Sequence, residues 1–432
     1  MIEATPTAHP EPGRTESDRR LRALDAPASG PAPAGLNPFA PGFFDDPYTQ
    51  YAALREAAPV HQSAFGPWML TRYDDCVRLL RNPEVSVEDR NAGVDRRARL
   101  FGDDDPRRVR GTRAILNLDP PDHTRLRRLA GKAFTPRRVE TLGPRVQARV
   151  DAALDRAEAD GAMDVIADLA FPLPFAVISE LLGIPTDDSD RLRDVSHTLV
   201  RTLEPLTSPD DIPALLAASD AMYAHVEETI RWKRANAADD LLTALIRVEE
   251  DGDTMSHQEL HDQVALLYIA GHETTVNLIG NSVLALLRHP DQLARLHDDP
   301  GLVPNAVDEL LRFDGPVQFS RRIVLTDLDI DGVTIPAHSF VFTVLGAANH
   351  DPAQFGPDAD ALDLTRRLAP QHLAFGGGIH HCLGAVLARA EARAAIGSLV
   401  GRFPGMALAT DTPAWNGRLV LRGLDALPVT LG

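Results

Sequence analysis

The stretch Phe375-Gly376-Gly377-Gly378-Ile379-His380-His381-Cys382-Leu383-Gly384 decides how this 432-residue chain is read. Its glycines let the backbone turn tightly and approach a flat partner closely. Cys382 then stands just before a strong helical run, AVLARAEARAAIGSLV. Free N–H groups and the helix dipole at such a position stabilise a thiolate. A lone cysteine is ordinarily a buried core thiol, and the glycines ahead of this one reverse that expectation. Two rival readings fail here. The glycine run lacks the Lys-Ser/Thr of a phosphate loop and misses the G-x-G-x-x-G spacing. His380-His381-Cys382 is no zinc cluster, because adjacent residues rarely converge on one ion and no second pair lies nearby.

Upstream, Ser256 to Arg288 reads as the strongest helix, with a capping-box pattern at Ser256 and Glu259 and a stop at Pro290. At ~1.5 Å per residue it spans about 50 Å. Residues 264–271 (VALLYIAG) are apolar on every face and predict burial on all sides. Glu273 and Thr274 follow at once, and a buried carboxylate and hydroxyl are costly unless they have partners or a job. His272-Glu273 begins like a zinc-protease motif, but Val276 occupies the place of the second ligand.

The rest of the chain sets the frame. It carries 44 Lys+Arg against 62 Asp+Glu, a net charge of −18, which argues against a general nucleic-acid binder. Cys76 and Cys382 are its only cysteines. That rules out a disulfide framework and points to a reducing cytoplasm. Residues 1–36 are rich in Pro, Ala and Gly without periodic apolar residues, and predict a disordered lead-in with no signal peptide. No stretch approaches the ~20 apolar residues of a membrane span. A strand pair is expected at 60–71, a long loop with at most short helices at 85–113, helices over 122–311, and a β-rich passage at 316–345 with a hairpin at Asp331-Gly332. The expectation is a mainly α protein with a small β region, one domain over 37–432.

F-G-x-G-x-H-x-C-x-G resembles the haem-thiolate signature of the cytochrome P-450 family at every specified position, with Gly377 and Val386 as departures elsewhere in the segment. The resemblance implies the P-450 fold and haem b as cofactor. Cys382 would be the metal ligand, a proximal thiolate that favours O–O cleavage. His380 would bond a propionate, and Phe375, Gly376 and Gly384 would be cofactor-binding. Three further segments match in the family's order. Glu309-Leu310-Leu311-Arg312 fits the structural E-x-x-R pair, whose bland reading is a solvated surface pair. Ala270-Gly271-His272-Glu273-Thr274-Thr275 resembles the oxygen-binding kink. There Ala270 and Gly271 border the cofactor, Thr274 hydrogen-bonds oxygen, Glu273 relays protons and His272 points away. Asp119 to Arg127 resembles the start of the propionate-binding helix, with His123 and Arg127 on one face. Arg322 matches the arginine for the other propionate, with Arg321 as its competitor, since a slip of one residue changes face.

The likeness extends through Asp46-Pro47-Tyr48, Asn349-His350-Asp351-Pro352, Phe355, Asp363, Arg366 and Arg422-Gly423-Leu424, so it covers 37–432, and the soluble bacterial branch is nearest. It implies an O2-dependent monooxygenase hydroxylating or epoxidising a hydrophobic small molecule in secondary metabolism. A peroxide-using haem enzyme and a non-catalytic haem or gas-binding protein stay open as alternatives. The pocket would be lined by the 85–113 loop, residues around 199–216, the Leu266–Thr274 face and Val317–Phe319, supplying Leu199, Val200, Leu203, Leu206 and Phe319. Residues 107–149 hold eleven arginines and Lys132 against Asp119, Asp122 and Glu140, an excess of nine positive charges. That segment is expected to dock an acidic ferredoxin served by its reductase.

Overall fold

The helix expected after Ser256 forms over His257–Arg288 in the computed structural model, and both halves of its capping box are present. The structure describes residues 35–102, 104–131, 134–185, 189–205, 207–250, 255–367 and 371–432. The expected disordered lead-in as far as residue 34, Lys132 and Leu206 lie outside the described residues. From Leu36 to Gly432 the chain forms a single compact unit.

The central helix packs against helices Pro172–Leu182, Ile212–Ala235, Val303–Asp314 and Ala385–Arg402. It stays α-helical through 270–275, and the Thr274 hydroxyl competes for the Ala270 carbonyl there. Gly271 has another use. A Cβ there would come within 2.9 Å of Ile178, so the glycine lets the helix Pro172–Leu182 pack close. Contrary to the expectation that no stretch approaches a membrane span, one helical stretch among the described residues does, Val165–Leu182, with a mean hydropathy of 1.8, and 78% of it is buried inside the protein. It is long and apolar enough to cross a membrane, but its burial marks it as a core element.

The main sheet has five strands in the order Val60–Gln62, Trp68–Leu70, Phe340–Val344, Phe319–Val324, Val85–Ser86. Trp68–Leu70 runs parallel to Phe340–Val344, and the other neighbours are antiparallel. The expected hairpin pairs Leu328–Ile330 with Val333–Ile335, and its turn uses positive φ at Asp331 and Gly332. The 85–113 segment holds the short strand Val85–Ser86, the helix Arg96–Phe101 and three-residue to four-residue 3-10 turns.

Glu309 and Arg312 are wholly buried, not a solvated pair. Both guanidinium nitrogens facing the acid donate to it at 2.7 Å. The remaining donors reach the carbonyls of Asn349 (2.9 Å), Ala359 (2.6 Å) and Ala361 (2.9 Å). Glu309 also accepts from Arg366 and from the Asp363 backbone N–H. One buried ion pair thus pins the irregular chain that leads into the Cys382 loop.

Candidate active site

The Cys382 loop is shaped by its backbone. Gly376 and Gly378 both have φ of +66°, and a Cβ on Gly378 would strike the Leu80 carbonyl. The Cys382 N–H donates to the Phe375 carbonyl at 2.9 Å. Phe375 is half-buried beneath the Arg389 guanidinium, 4.4 Å from its ring centre. Gly384 caps the following helix, Ala385–Arg402, and a Cβ there would lie 4.0 Å from the Cys382 sulfur.

Cys382 is exposed, yet burial pushes its thiol pKa up despite the Gly384 N–H, Arg127 and Arg389. A group that is accessible and still desolvated sits on the wall of a hollow, not on open surface. Burial therefore favours the thiol over the ready-made thiolate expected from the helix start, and a bound cation favours the thiolate.

Four cationic or potentially cationic side chains converge beside it. Arg127 donates to the His381 carbonyl at 2.6 Å. The rings of His123 and His380 lie 4.3 Å apart. Both nitrogens of His123 and Nε2 of His380 are buried without a hydrogen-bond partner among the described residues. Burial, then Arg127, lowers the His123 pKa. Burial, Arg322, His123 and Arg127 push His380 down to about 3. Arg322 is 5% exposed and donates to Ser320 and the Arg321 carbonyl. Among the described residues it has no carboxylate within ion-pair distance, and burial pulls it down to about 10. Arg321 is committed elsewhere, 2.7 Å from Asp89. Buried donors that lower one another's pKa, with Asp119 as the acid that acts on His123 and Arg322 and no carboxylate in ion-pair contact among the described residues, are a site for an anion. Two carboxylates on a flat apolar ring match it.

On the central helix Ala270 is exposed, and Ile269, Gly271 and Thr274 are half-buried, between stretches that are otherwise buried. The Thr274 hydroxyl donates to the Ala270 carbonyl at 3.1 Å, so two of the accessible residues of this stretch are tied to each other. Glu273 turns the other way, 3.7 Å from His272 and 3.5 Å from Arg418. Burial opposes its charge, but His272 and Arg418 hold its carboxyl below the usual range. His272 is buried, edge-on to Phe171 and Phe175.

The family model for Cytochrome P450 matches residues 84–300 and 301–412. Cytochrome P450 107B1 of Saccharopolyspora erythraea is 43% identical over 91% of this chain and 97% of its own. Vitamin D(3) 25-hydroxylase of Pseudonocardia autotrophica is 43% identical over 91% and 96%. The crystal structure of myxobacterial CYP267B1 with myristic acid superposes with a TM-score of 0.85 at 40% identity, covering 91% and 98%.

The chain belongs to the cytochrome P450 family. It has the P450 fold and is a P450 oxidoreductase, with bacterial relatives; the family carries haem b and works with O2, redox partners and hydrophobic substrates. The residues around Cys382 fit that cofactor.

The pocket-lining residues expected from sequence divide. Leu203 is exposed, whereas Val200 and Phe319 pack into a core cluster with Tyr51 and Phe342. The sequence reading missed Glu391, which is buried and pushed up to about 8 by burial beside Thr275. Its signal was present: Leu387, Glu391, Ala395 and Leu399 share one helical face, and the three apolar ones are buried with it. Arg418, beside Glu273, had no sequence signal.

The basic segment is mostly neutralised. Arg107, Arg108, Arg110, Arg113, Arg125, Arg138, Arg145 and Arg149 all reach acids, among them Asp95, Asp220, Glu259 and Glu180. Arg128 and Arg137 stay exposed with no carboxylate partner among the described residues. Nearby on the Cys382 loop and its helix, Ile379 and Val386 are also exposed.

Proposed function

We propose that this P450 inserts one oxygen atom from O2 into a hydrophobic small molecule, by hydroxylation or epoxidation, in cytoplasmic secondary metabolism. The domain doing so is 37–432. The observation that carries the reading is the set of buried, unpartnered His123 and His380 nitrogens beside Arg322, Arg127 and Cys382. Bound haem supplies the iron at which O2 is activated. The Cys382 sulfur ligates it. His123, Arg127, Arg322 and His380 bind its carboxylates, and Phe375, Gly376 and Gly384 give the loop room to approach. Ala270 keeps the facing wall thin, while Gly271, expected from sequence to border the cofactor, lies against Ile178 instead. Thr274 orients the oxygen-binding side through its hydroxyl, and Glu273 holds and hands on a proton at Oε2.

An apolar substrate is supported by the relatives named for vitamin D(3) hydroxylation and crystallised with myristic acid. A buried, ionised Glu273 favours O2 use over peroxide, because peroxide already carries the protons. The test combines two readings on the haem-loaded protein. Dithionite and CO are expected to give a band at about 450 nm, the mark of thiolate ligation. A surrogate ferredoxin system is expected to consume NADPH faster when an apolar compound that shifts the haem spectrum is added. Absence of the band removes the thiolate assignment; a band without compound-dependent NADPH consumption favours the non-catalytic reading.

Electrons are proposed to come from an acidic ferredoxin docking on Arg128 and Arg137 around exposed Ile379 and Val386. Reduction is expected to slow with rising ionic strength, and R128E/R137E to slow it roughly ten-fold at low salt, since exposed charges mostly set association rates. Salt-independent reduction would sink this assignment.

A further inference from the structure

A cavity of about 40 Å³ lies against Glu273, and His197, Asn277, Arg418 and Asp425 supply most of its polar wall. These residues come from the helix Ser189–Leu199, the central helix, the turn at 416–418 and the strand Leu424–Ala426. The inner end is buried: Glu273, Asn277 and Arg418 are 7%, 3% and 5% exposed. The outer end is open, with the side chains of His197 and Asp425 49% and 53% exposed and 3.9 Å apart. Arg418 spans the two ends. Its Nη1 lies 3.5 Å from Glu273, and its Nη2 donates to the His197 carbonyl at 2.7 Å. Among the described residues Asn277 Nδ2 and Arg418 Nη1 have no hydrogen-bond partner. Buried donors without partners cost about 1–3 kcal/mol each, and a polar cavity of this size takes about two or three waters.

We propose that this cavity is the water-filled port through which protons pass from solvent to Glu273, with His197 and Asp425 at its mouth and Arg418 as the positioning residue at its inner end. The proposal rests on the reading of Glu273 as a proton relay. His197 takes a proton from solvent at its ring and passes it to cavity water, and Glu273 Oε2 receives it; no other reactant is consumed. His197 faces Arg193 on its own helix, Arg418 from the C-terminal turn, Glu273 from the central helix and Asp425 from the last strands. Burial and Arg418 lower its pKa against the two carboxylates. It is therefore neutral at pH 7 and free to accept a proton. His272 and Arg418 together keep Glu273 ionised between transfers.

Two measurements test this on the holoenzyme. In the CO-bound ferrous form, 15N NMR follows the titration of His197. E273Q is expected to lower its midpoint, and R418Q to raise it, by about 0.5 unit or more, as charges across a small cavity require. Unmoved midpoints overturn the coupling. Second, substrate-free NADPH consumption with a surrogate ferredoxin system is compared in H2O and D2O. H197L and D425N are each expected to slow it roughly ten-fold and to raise the solvent isotope effect, as does E273Q, while the ~450 nm band stays intact. If E273Q changes both quantities and H197L and D425N change neither, protons reach Glu273 by another route and the port is overturned. If E273Q itself changes neither, the relay reading falls.

Discussion

Replacing Cys382 by serine is expected to abolish the ~450 nm band and to cut NADPH-driven product formation by roughly 10³-fold or more, about 4 kcal/mol on the barrier. The fold is expected to survive. The Cys382 side chain is exposed into its hollow, so little packing is lost. The backbone bond to the Phe375 carbonyl does not involve the sulfur. What disappears is the soft anionic ligand. Burial already holds the Cys382 thiol pKa up, and a serine hydroxyl, far weaker as an acid, stays protonated in the same place. The measurements are the CO difference spectrum, product yield and urea unfolding of the C382S holoprotein. A retained band would remove Cys382 from the iron. A large loss of stability with the band gone would instead give the cysteine a packing role, contrary to its exposure.

Arg312→Ala is the second large effect, and it falls on stability. It leaves the Glu309 carboxylate wholly buried with Arg366 as its remaining ion-pair partner, and it frees the carbonyls of Asn349, Ala359 and Ala361. Breaking a buried pair from one side costs about 3–5 kcal/mol, a large fraction of the ~5–15 kcal/mol that holds a domain folded. Little haem-loaded protein should accumulate. Arg312→Lys restores the charge without the planar fork and is expected to recover only part of the loss. Urea unfolding midpoints and the ~450 nm absorbance per mole of protein measure both. A loss under ~1 kcal/mol for R312A, the value of a surface pair, would contradict the burial described here.

The elements that sequence located well are those whose causes are local. The central helix begins at its capping box and ends before Pro290 because adjacent residues supply the donors, acceptors and missing N–H. The Cys382 loop is likewise legible, since two of its glycines adopt φ values that other residues rarely take. Gly271 shows the limit of such reasoning. Read alone, a glycine mid-helix predicts weakness; in the structure the helix is unbroken and the glycine admits Ile178, some ninety positions away.

Charge was the least legible property. The excess of nine positive charges in 107–149 was real in composition, but most of those arginines meet acids from other segments, such as Asp220 and Glu259. Glu309-x-x-Arg312 was visible as a pair, while its burial depended on chain returning from 349–366. Arg321 and Arg322 are neighbours on one strand, so their side chains point to opposite faces. Only the position of Asp89 showed which arginine was already paired.

By itself, then, the sequence determined the family, the Cys382 loop and the long central helix, because each rests on backbone preferences of neighbouring residues. Tertiary structure alone decided which of Arg321 and Arg322 is paired with an acid, which basic residues lack a carboxylate partner among the described residues, and that His197, Arg418 and Asp425 meet Glu273. Those are questions of which charges end up within a few ångströms of one another, and packing between distant segments answers them.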